Sequence, residues 1–376
     1  MKTTSTDNLS IFFANSPSNP SAMDPRIWSR LPVELLEHIL SLLPLKTFWN
    51  LRSTCKRFRY LVFSPSFISK YSSSSLPFSS FLLLAHPQCH RYFPLYDSNL
   101  GTWRSTSLPL SDLHHCWAPS ALLSSSGGLF CLSDFTSSSS SFLIVCNLLA
   151  KSSRKIEFPT YSFRVDHLTL VSTAIGYKIF VLCSESAYVY DSILLSWRRF
   201  DGFDPILSEN DHQEGAFHYG GLYFTTPEPF SVVRFDLESG KWERPNAVLP
   251  SQVTFVRLAS DGEGKLYLVG GVGNNGISRS MKLWEMGESE NWVEVASLPE
   301  MMCRKFMSVC YHNYEHVYCF WHLGMICICC YTWPEILYYK VSRKTWHWLP
   351  RSPALPEKCS CAFRWFSFVP NLYSPV

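Results

Sequence analysis

One phrase recurs along the chain and limits its fold more than any other feature. It consists of an apolar pair, an acidic or amide residue, a short turn and then Trp, often with Pro beyond. It reads Leu95-Tyr96-Asp97 with Trp103 and Leu108-Pro109, Val189-Tyr190-Asp191 with Trp197, and Arg234-Phe235-Asp236 with Trp242. It returns as Leu283-Trp284-Glu285 with Trp292 and Leu298-Pro299, and as Tyr338-Tyr339-Lys340 with Trp346 and Leu349-Pro350. A degenerate copy, Val145-Cys146-Asn147 then Phe158-Pro159, carries Ser153 where the Trp belongs. A second phrase precedes five of these, for example Gly127-Gly128-Leu129-Phe130-Cys131 and Gly220-Gly221-Leu222-Tyr223-Phe224. The Trp landmarks recur about every 49 residues, and six copies fill 76–376.

A unit of that length, cut into short β-branched and aromatic runs by Gly, Pro and Ser, reads as a four-stranded antiparallel sheet. Such a sheet cannot bury both faces alone, so units stack around an axis and bury each other. The expected body is therefore an all-β, six-bladed β-propeller. Its first copy starts directly at Phe81-Leu82-Leu83-Leu84 and lacks a preceding strand, while the chain ends with the unclaimed run 361–368. That run is predicted to complete the first blade and remove the open edge. Loops joining strands two to three and four to one emerge on one face, and the short, uniform three-to-four turns on the other. Length and chemical variety thus gather on the first face. Its candidate contact residues are His114, His115, Trp117, Tyr161, Arg164, Asp211, His212, Asn274, Asn275, Arg279, Met302 and Arg304.

Composition agrees. Charged residues are only 17% and aromatics reach 15%, which suits a β body and argues against a helical array. The net charge of +3 does not point to nucleic acid. It is unevenly spread: residues 24–70 hold eight Lys and Arg against three Asp and Glu. No apolar run approaches the length of a membrane span, and no membrane partner is expected. Fourteen cysteines without a secretory-type start are read as reduced thiols in a nuclear or cytoplasmic protein.

The N-terminal part differs in kind. Residues 1–23 read as a disordered tail, 24–70 as a small helical domain, 71–80 as a Ser-rich linker and 81–376 as the propeller. Leu35, Leu36, Ile39, Leu40 and Leu43 form the stripe of an amphipathic helix, with Pro32 at its start and Pro44 at its end. Phe48, Leu51 and Cys55 mark a second helical stretch, and Phe58, Leu61 and Val62 a third that Pro65 is expected to stop. Three short helices have little room for a self-sufficient core, so part of their apolar surface awaits a partner.

This segment resembles an F-box. The resemblance is carried by Leu31-Pro32-x-Glu34-Leu35-Leu36-x-x-Ile39-Leu40-x-x-Leu43-Pro44-Leu45, then Leu51-Arg52-x-x-Cys55-Lys56-Arg57-Phe58, then Pro65-x-Phe67. Thr54 stands where Val is usual and Phe58 where Trp is usual. The body resembles the kelch-repeat domain of plant F-box/kelch proteins. The wording around Asp24-x-Arg26-Ile27-Trp28-Ser29 and Phe63-Ser64-x-x-Phe67 is similar to the floral-organ-identity branch.

The resemblance implies docking onto a Skp-family adaptor through Leu31, Pro32, Leu35, Leu36, Ile39, Leu40, Leu43, Pro44, Leu51, Cys55 and Phe58. Through that adaptor it implies a cullin–RING ubiquitin ligase, with the propeller capturing a target protein. The alternative is an adaptor or transcriptional cofactor that binds a regulator without degrading it.

Enzymatic readings fare poorly. Gly271-x-Gly273-x-x-Gly276 lacks the following helix a nucleotide site needs and reads as a blade loop. Cys327-x-x-Cys330, Cys359-x-Cys361 and His312-x-x-x-His316 sit inside the repeat pattern without a second closed knuckle, so no metal is expected. No nucleophile elbow or Walker loop occurs, and neither catalysis nor a cofactor is expected of the chain.

Overall fold

The computed structural model describes residues 30–43, 55–61, 64–67, 70, 80–89, 93–106, 122–134, 142–148, 150, 152–159, 165–183, 186–201, 207, 212–262, 264–310, 313–353, 361–371 and 373–376. The chain divides into two compact units. One comprises residues 1–80 with 98–100, and the other residues 81–97 with 101–376.

In the first unit, Pro32 holds φ −53° at the N-cap of α1 (Val33–Ser41), and its carbonyl accepts the Leu36 amide at 3.0 Å. Leu36 and Leu40, four residues apart, are fully buried on one side of that helix. Between them Glu37 is buried as well, and its carboxylate is satisfied from outside the helix. It accepts from Ser66 at 2.6 Å, Ser64 at 3.1 Å and Lys70 at 2.8 Å. A second helix, α2 (Lys56–Leu61), buries Leu61. That helix ends before Pro65, as expected, and Pro65 itself opens a further helical turn at 65–67, a position where its missing N–H costs nothing.

Among the described residues, the second unit holds 24 strands in six four-stranded antiparallel sheets. Blade one contains β1 (Phe81–Ala85), β2 (Phe93–Asp97) and β3 (Thr102–Thr106). Blade two contains β4 (Leu122–Ser126), β5 (Leu129–Asp134), β6 (Phe142–Asn147) and β7 (Ser152–Glu157). Blade three contains β8 (His167–Ser172), β9 (Tyr177–Cys183), β10 (Ser186–Asp191) and β11 (Ser196–Phe200). Blade four contains β12 (Ala216–His218), β13 (Gly221–Thr225), β14 (Val232–Asp236) and β15 (Trp242–Glu243). Blade five contains β16 (Val253–Ser260), β17 (Leu266–Asn274), β18 (Ile277–Met286) and β19 (Trp292–Ser297). Blade six contains β20 (Val317–His322), β21 (Met325–Cys330), β22 (Trp333–Lys340) and β23 (Thr345–Trp348).

The last strand, β24 (Arg364–Phe368), pairs antiparallel with β1, from Phe81 opposite Phe368 to Ala85 opposite Arg364. Residues beyond it fasten blade two. Asn147 donates its amide to the carbonyls of Asn371 (2.8 Å) and Ser374 (3.0 Å), and the Ser374 hydroxyl donates to the Gly127 carbonyl.

Middle strands are buried on both faces, as in β10, whereas outer strands such as β11 are open. Apolar clusters lie between successive blades, and the repeated Trp fills the seams. Trp197 donates its indole N–H to the Glu157 carbonyl of the preceding blade at 2.9 Å. Trp103 does the same to Pro350 of blade six at 2.8 Å. Where Ser153 replaces the Trp, Phe158 packs edge-on against Trp197 of the next blade. The Gly127-Gly128 turn takes φ 56° and 83°, and a Cβ on Gly128 would stand 2.6 Å from the Asn371 amide nitrogen.

Two elements depart from expectation. A helix, α3 (Glu300–Cys310), occupies the blade five to blade six connection that was read as loop. It buries Cys303, Phe306, Met307 and Cys310, the i, i+3, i+4, i+7 set, against β18. The glycines of 271–276 form no loop either: Gly271 and Gly273 lie inside β17, and only Asn275-Gly276 turns.

Candidate functional site

Two surfaces carry the candidate residues. On the helical unit, Leu36 and Leu40 lie beneath the surface and shape it from within. Pro32, Leu35 (46% exposed) and Cys55 are exposed, while Leu31, Ile39, Leu43 and Phe58 are half-buried. Val33, Leu42 and Tyr60 are also exposed, apolar groups the sequence reading passed over. Leu35 and Leu42, seven residues apart, thus present apolar groups on the outward side of α1. Pro44 and Leu51 lie outside the described residues.

Of the propeller candidates, His114, His115, Trp117, Tyr161, Arg164 and Asp211 lie outside the described residues. Five of the others come together on blade five. Asn274 and Asn275 are exposed at the tip of the long β17–β18 hairpin, and Arg279 is exposed on β18. Met302 is half-buried on α3, and Arg304 is exposed there and paired with Glu300. The helix and the hairpin are joined through Cys303, whose thiol lies 3.9 Å from the Arg279 carbonyl.

His212 sits elsewhere. It begins a short segment just before β12 that closes the axis. Its ring stacks on Tyr331 of blade six, with centroids 3.9 Å apart and planes 10° from parallel. Gln213 donates to the carbonyls of Leu258 in β16 and Cys319 in β20, both at 3.1 Å. Its own carbonyl oxygen accepts the Cys319 amide at 2.9 Å. Glu214 reaches the opposite way and accepts from Ser124 of β4 at 2.5 Å. Three consecutive side chains thus tie together blades two, five and six. Burial pushes His212 down to about 4, helped by the nearby charges of Arg364 and His316, so its ring is neutral at physiological pH. Burial lifts Glu214 to about 7 against the opposing pull of Ser124 and Arg364. Sequence reasoning missed Gln213, Glu214 and Arg364, because nothing in their spacing marks an axial position.

Burial pushes Cys319, Cys146 and Cys183 up to about 12, so these thiols stay protonated. Cys327 and Cys329 pack in the core between blades six and one. Among the described residues, no three His, Cys, Asp or Glu side chains converge as a metal site.

Comparison with known proteins agrees with the two-part layout. The F-box domain family model matches residues 28–70. F-box/kelch-repeat protein At5g43190 of Arabidopsis thaliana is 54% identical over 372 residues, which cover 96% of this chain and 91% of that one. The chain belongs to the F-box/kelch-repeat family. Protein UNUSUAL FLORAL ORGANS of Arabidopsis thaliana is 25% identical over 88% of this chain and 80% of its own. Protein ABERRANT PANICLE ORGANIZATION 1 of Oryza sativa subsp. japonica is 26% identical over 96% of this chain and 92% of its own. The similarity to floral-organ proteins noted in the sequence is thus present among its relatives. An F-box joined to a propeller is the layout of a substrate-recognition adaptor, and members of this family are generally adaptor subunits.

Proposed function

We propose that this F-box/kelch protein is the non-catalytic, substrate-recognition subunit of a Skp–cullin–F-box ubiquitin ligase, working in the nucleus or cytoplasm. The observation that carries the reading is the pairing of an F-box whose first helix leaves Pro32 and Leu35 exposed with a propeller whose elaborated elements share one face. The mechanism is proximity. The F-box holds the adaptor and the propeller holds a target, so the target's effective concentration near a ubiquitin-loaded partner rises without any reacting group on this chain. The basic balance of residues 24–70 suits an acidic adaptor surface and speeds encounter. On the propeller, the blade-five crest of Asn274, Asn275, Arg279, Met302 and Arg304 is the target-contact surface.

The test is a pull-down with purified Skp-type adaptor. It compares the full chain with Pro32→Ala/Leu35→Asp, both exposed positions that leave the buried Leu36 and Leu40 intact. Binding lost in the variant supports the reading. Equal binding by both forms, or by neither, refutes the proposed docking face. Lifetime of a captured target, with and without proteasome inhibition, separates degradation from simple sequestration.

A further inference from the structure

The six innermost strands enclose an axial channel of about 580 Å³, whose lining runs from the 212–214 segment to the turns at Gly127 and Gly262. Three charged residues line it: Asp261 beside the Gly262 turn, where its Oδ1 accepts the Gly264 and Lys265 amides, and Glu214 and Arg364 from distant parts of the chain. Glu214 is half-buried on the channel wall, and one of its carboxylate oxygens is taken by the Ser124 hydroxyl. The other meets no hydrogen-bond donor among the described residues. Arg364, on β24, donates through its terminal nitrogens to the carbonyls of Leu122 (3.3 Å) and Leu123 (3.1 Å). It lies near enough to feel the Glu214 charge, yet the two form no ion pair among the described residues. Space therefore separates a guanidinium from a carboxyl group.

Hydroxyls around them are arranged with their protons spare. Thr169 accepts the Gly215 amide, Ser126 the Ser172 amide and Ser260 the Gly262 amide. Each oxygen is used as an acceptor, and each hydroxyl keeps its own proton for the channel. The lining thus offers three spare hydroxyl protons and the permanent positive charge of Arg364, with the Asp261 carboxylate beside the Gly262 turn. With burial lifting Glu214 to about 7, its carboxyl is protonated in part near neutral pH, which lessens its repulsion of a neighbouring anion.

We propose that the axial channel is a binding site for a small polyhydroxylated organic anion. Its carboxylate or phosphate engages Arg364, and its hydroxyls engage Glu214, Thr169, Ser126 and Ser260. The site depends on ring closure, because Arg364 arrives on the last strand and Glu214 on the segment that crosses the axis. A bound molecule bridges those parts and stabilises the folded ring by an amount that rises with the logarithm of its concentration above Kd.

The experiment uses the purified full chain without adaptor, so its outcome is independent of the ligase reading. Titration calorimetry and thermal shift compare D-gluconate, D-glucose 6-phosphate and neutral D-glucose. Saturable one-to-one binding of gluconate or glucose 6-phosphate is expected, and the tighter of the two identifies the anionic group. Arg364→Gln is expected to weaken it at least tenfold. If that variant does not fold, Ser260→Ala takes its place with an expected loss of severalfold, since the Ser260 oxygen otherwise serves only the Gly262 turn. Absence of saturable binding by both anions overturns the proposal. So does equal binding of glucose, or unchanged affinity in the folded variant.

Discussion

Tyr318→Phe removes one oxygen atom and creates no cavity, yet it tests how the ring is closed. The Tyr318 hydroxyl donates to the Phe363 carbonyl at 2.9 Å and accepts the Trp365 amide at 2.7 Å. Blade six thereby grips the backbone of the closing strand, on the side away from β1. Tyr318 and Trp365 are 3% and 2% exposed, so water does not readily replace the lost partner. Leaving a buried donor or acceptor unsatisfied costs about 1–3 kcal/mol, so losing both partners costs about 2–6 kcal/mol. At about 2–4 °C per kcal/mol for a domain of this class, Tm falls by about 4–24 °C. The control is Tyr339→Phe: Tyr339 is fully buried too, and its hydroxyl meets no hydrogen-bonding partner among the described residues. Removing that oxygen is expected to be neutral or slightly stabilising. Thermal and urea denaturation, followed by Trp fluorescence, measure both variants. If Tyr318→Phe shifts stability no more than Tyr339→Phe, the grip on β24 is not hydrogen-bonded closure and the reasoning fails.

Leu195 is 60% exposed and held at φ 54°, where blades one and four use Gly101 and Gly240. Leu195→Gly relieves left-handed strain and is expected to stabilise the propeller by about 0.5–1 kcal/mol, with a lower urea midpoint counting against the argument. In the F-box unit, burial alone would raise the Glu37 carboxyl, yet hydrogen bonds from Lys70, Ser66 and Ser64 and the Lys70 charge hold it below its ordinary value. Glu37→Ala should therefore loosen α1 by about 1–3 kcal/mol, seen as faster amide exchange in α1, and unchanged exchange would refute it. In the parent the same contribution is lost as pH falls below the ordinary 4.5. Glu214 has the opposite sign. Its folded chain keeps a proton that the unfolded chain has shed, so its contribution declines as pH rises from 4.5 to about 7. Glu214→Gln cannot ionise, so it should gain up to about 3 kcal/mol on the parent between pH 4 and pH 8, and parallel pH profiles would contradict this.

Periodicity made the blades legible because each Asp-to-Trp phrase encodes a local hairpin and one seam, both set by neighbouring residues. The closing strand was legible for a negative reason: 81–84 had nothing before it and 361–368 nothing to join. The helix α3 was missed although Cys303, Phe306, Met307 and Cys310 carry its period, because the connection was read as loop from its place between blades. On the F-box, the sequence stripe ran together Leu36 and Leu40, which face inward, with Leu35, which does not. One face of a short amphipathic helix cannot be divided between core and partner by spacing alone. Axial residues were illegible for a stronger reason. Gln213 bonds to positions 45 and 106 residues away, and Glu214 to one 90 residues away. Such separations leave no local pattern.

Those long separations also explain where the ring is reinforced. A propeller built from sequence-local blades is weakest where chain ends meet, since that seam gains least from local contacts. In this chain the non-local polar bonds concentrate around it. Tyr318 holds β24 to blade six, Arg364 holds β24 to blade two, and Asn147 holds the residues beyond β24. Arg257 adds a buried bond set between blades five and six, donating to the carbonyls of Val317 and Tyr314. Burial lowers it to about 10, still well above physiological pH, so its charge persists and is met by carbonyl dipoles. The proximity mechanism proposed above requires this stiffness. Effective concentration is set by how narrowly the target is positioned, and a ring that breathed at its seam would spread that distribution without breaking a single contact to the target. Loosening the seam should accordingly lower transfer to a bound target more than it lowers affinity for that target.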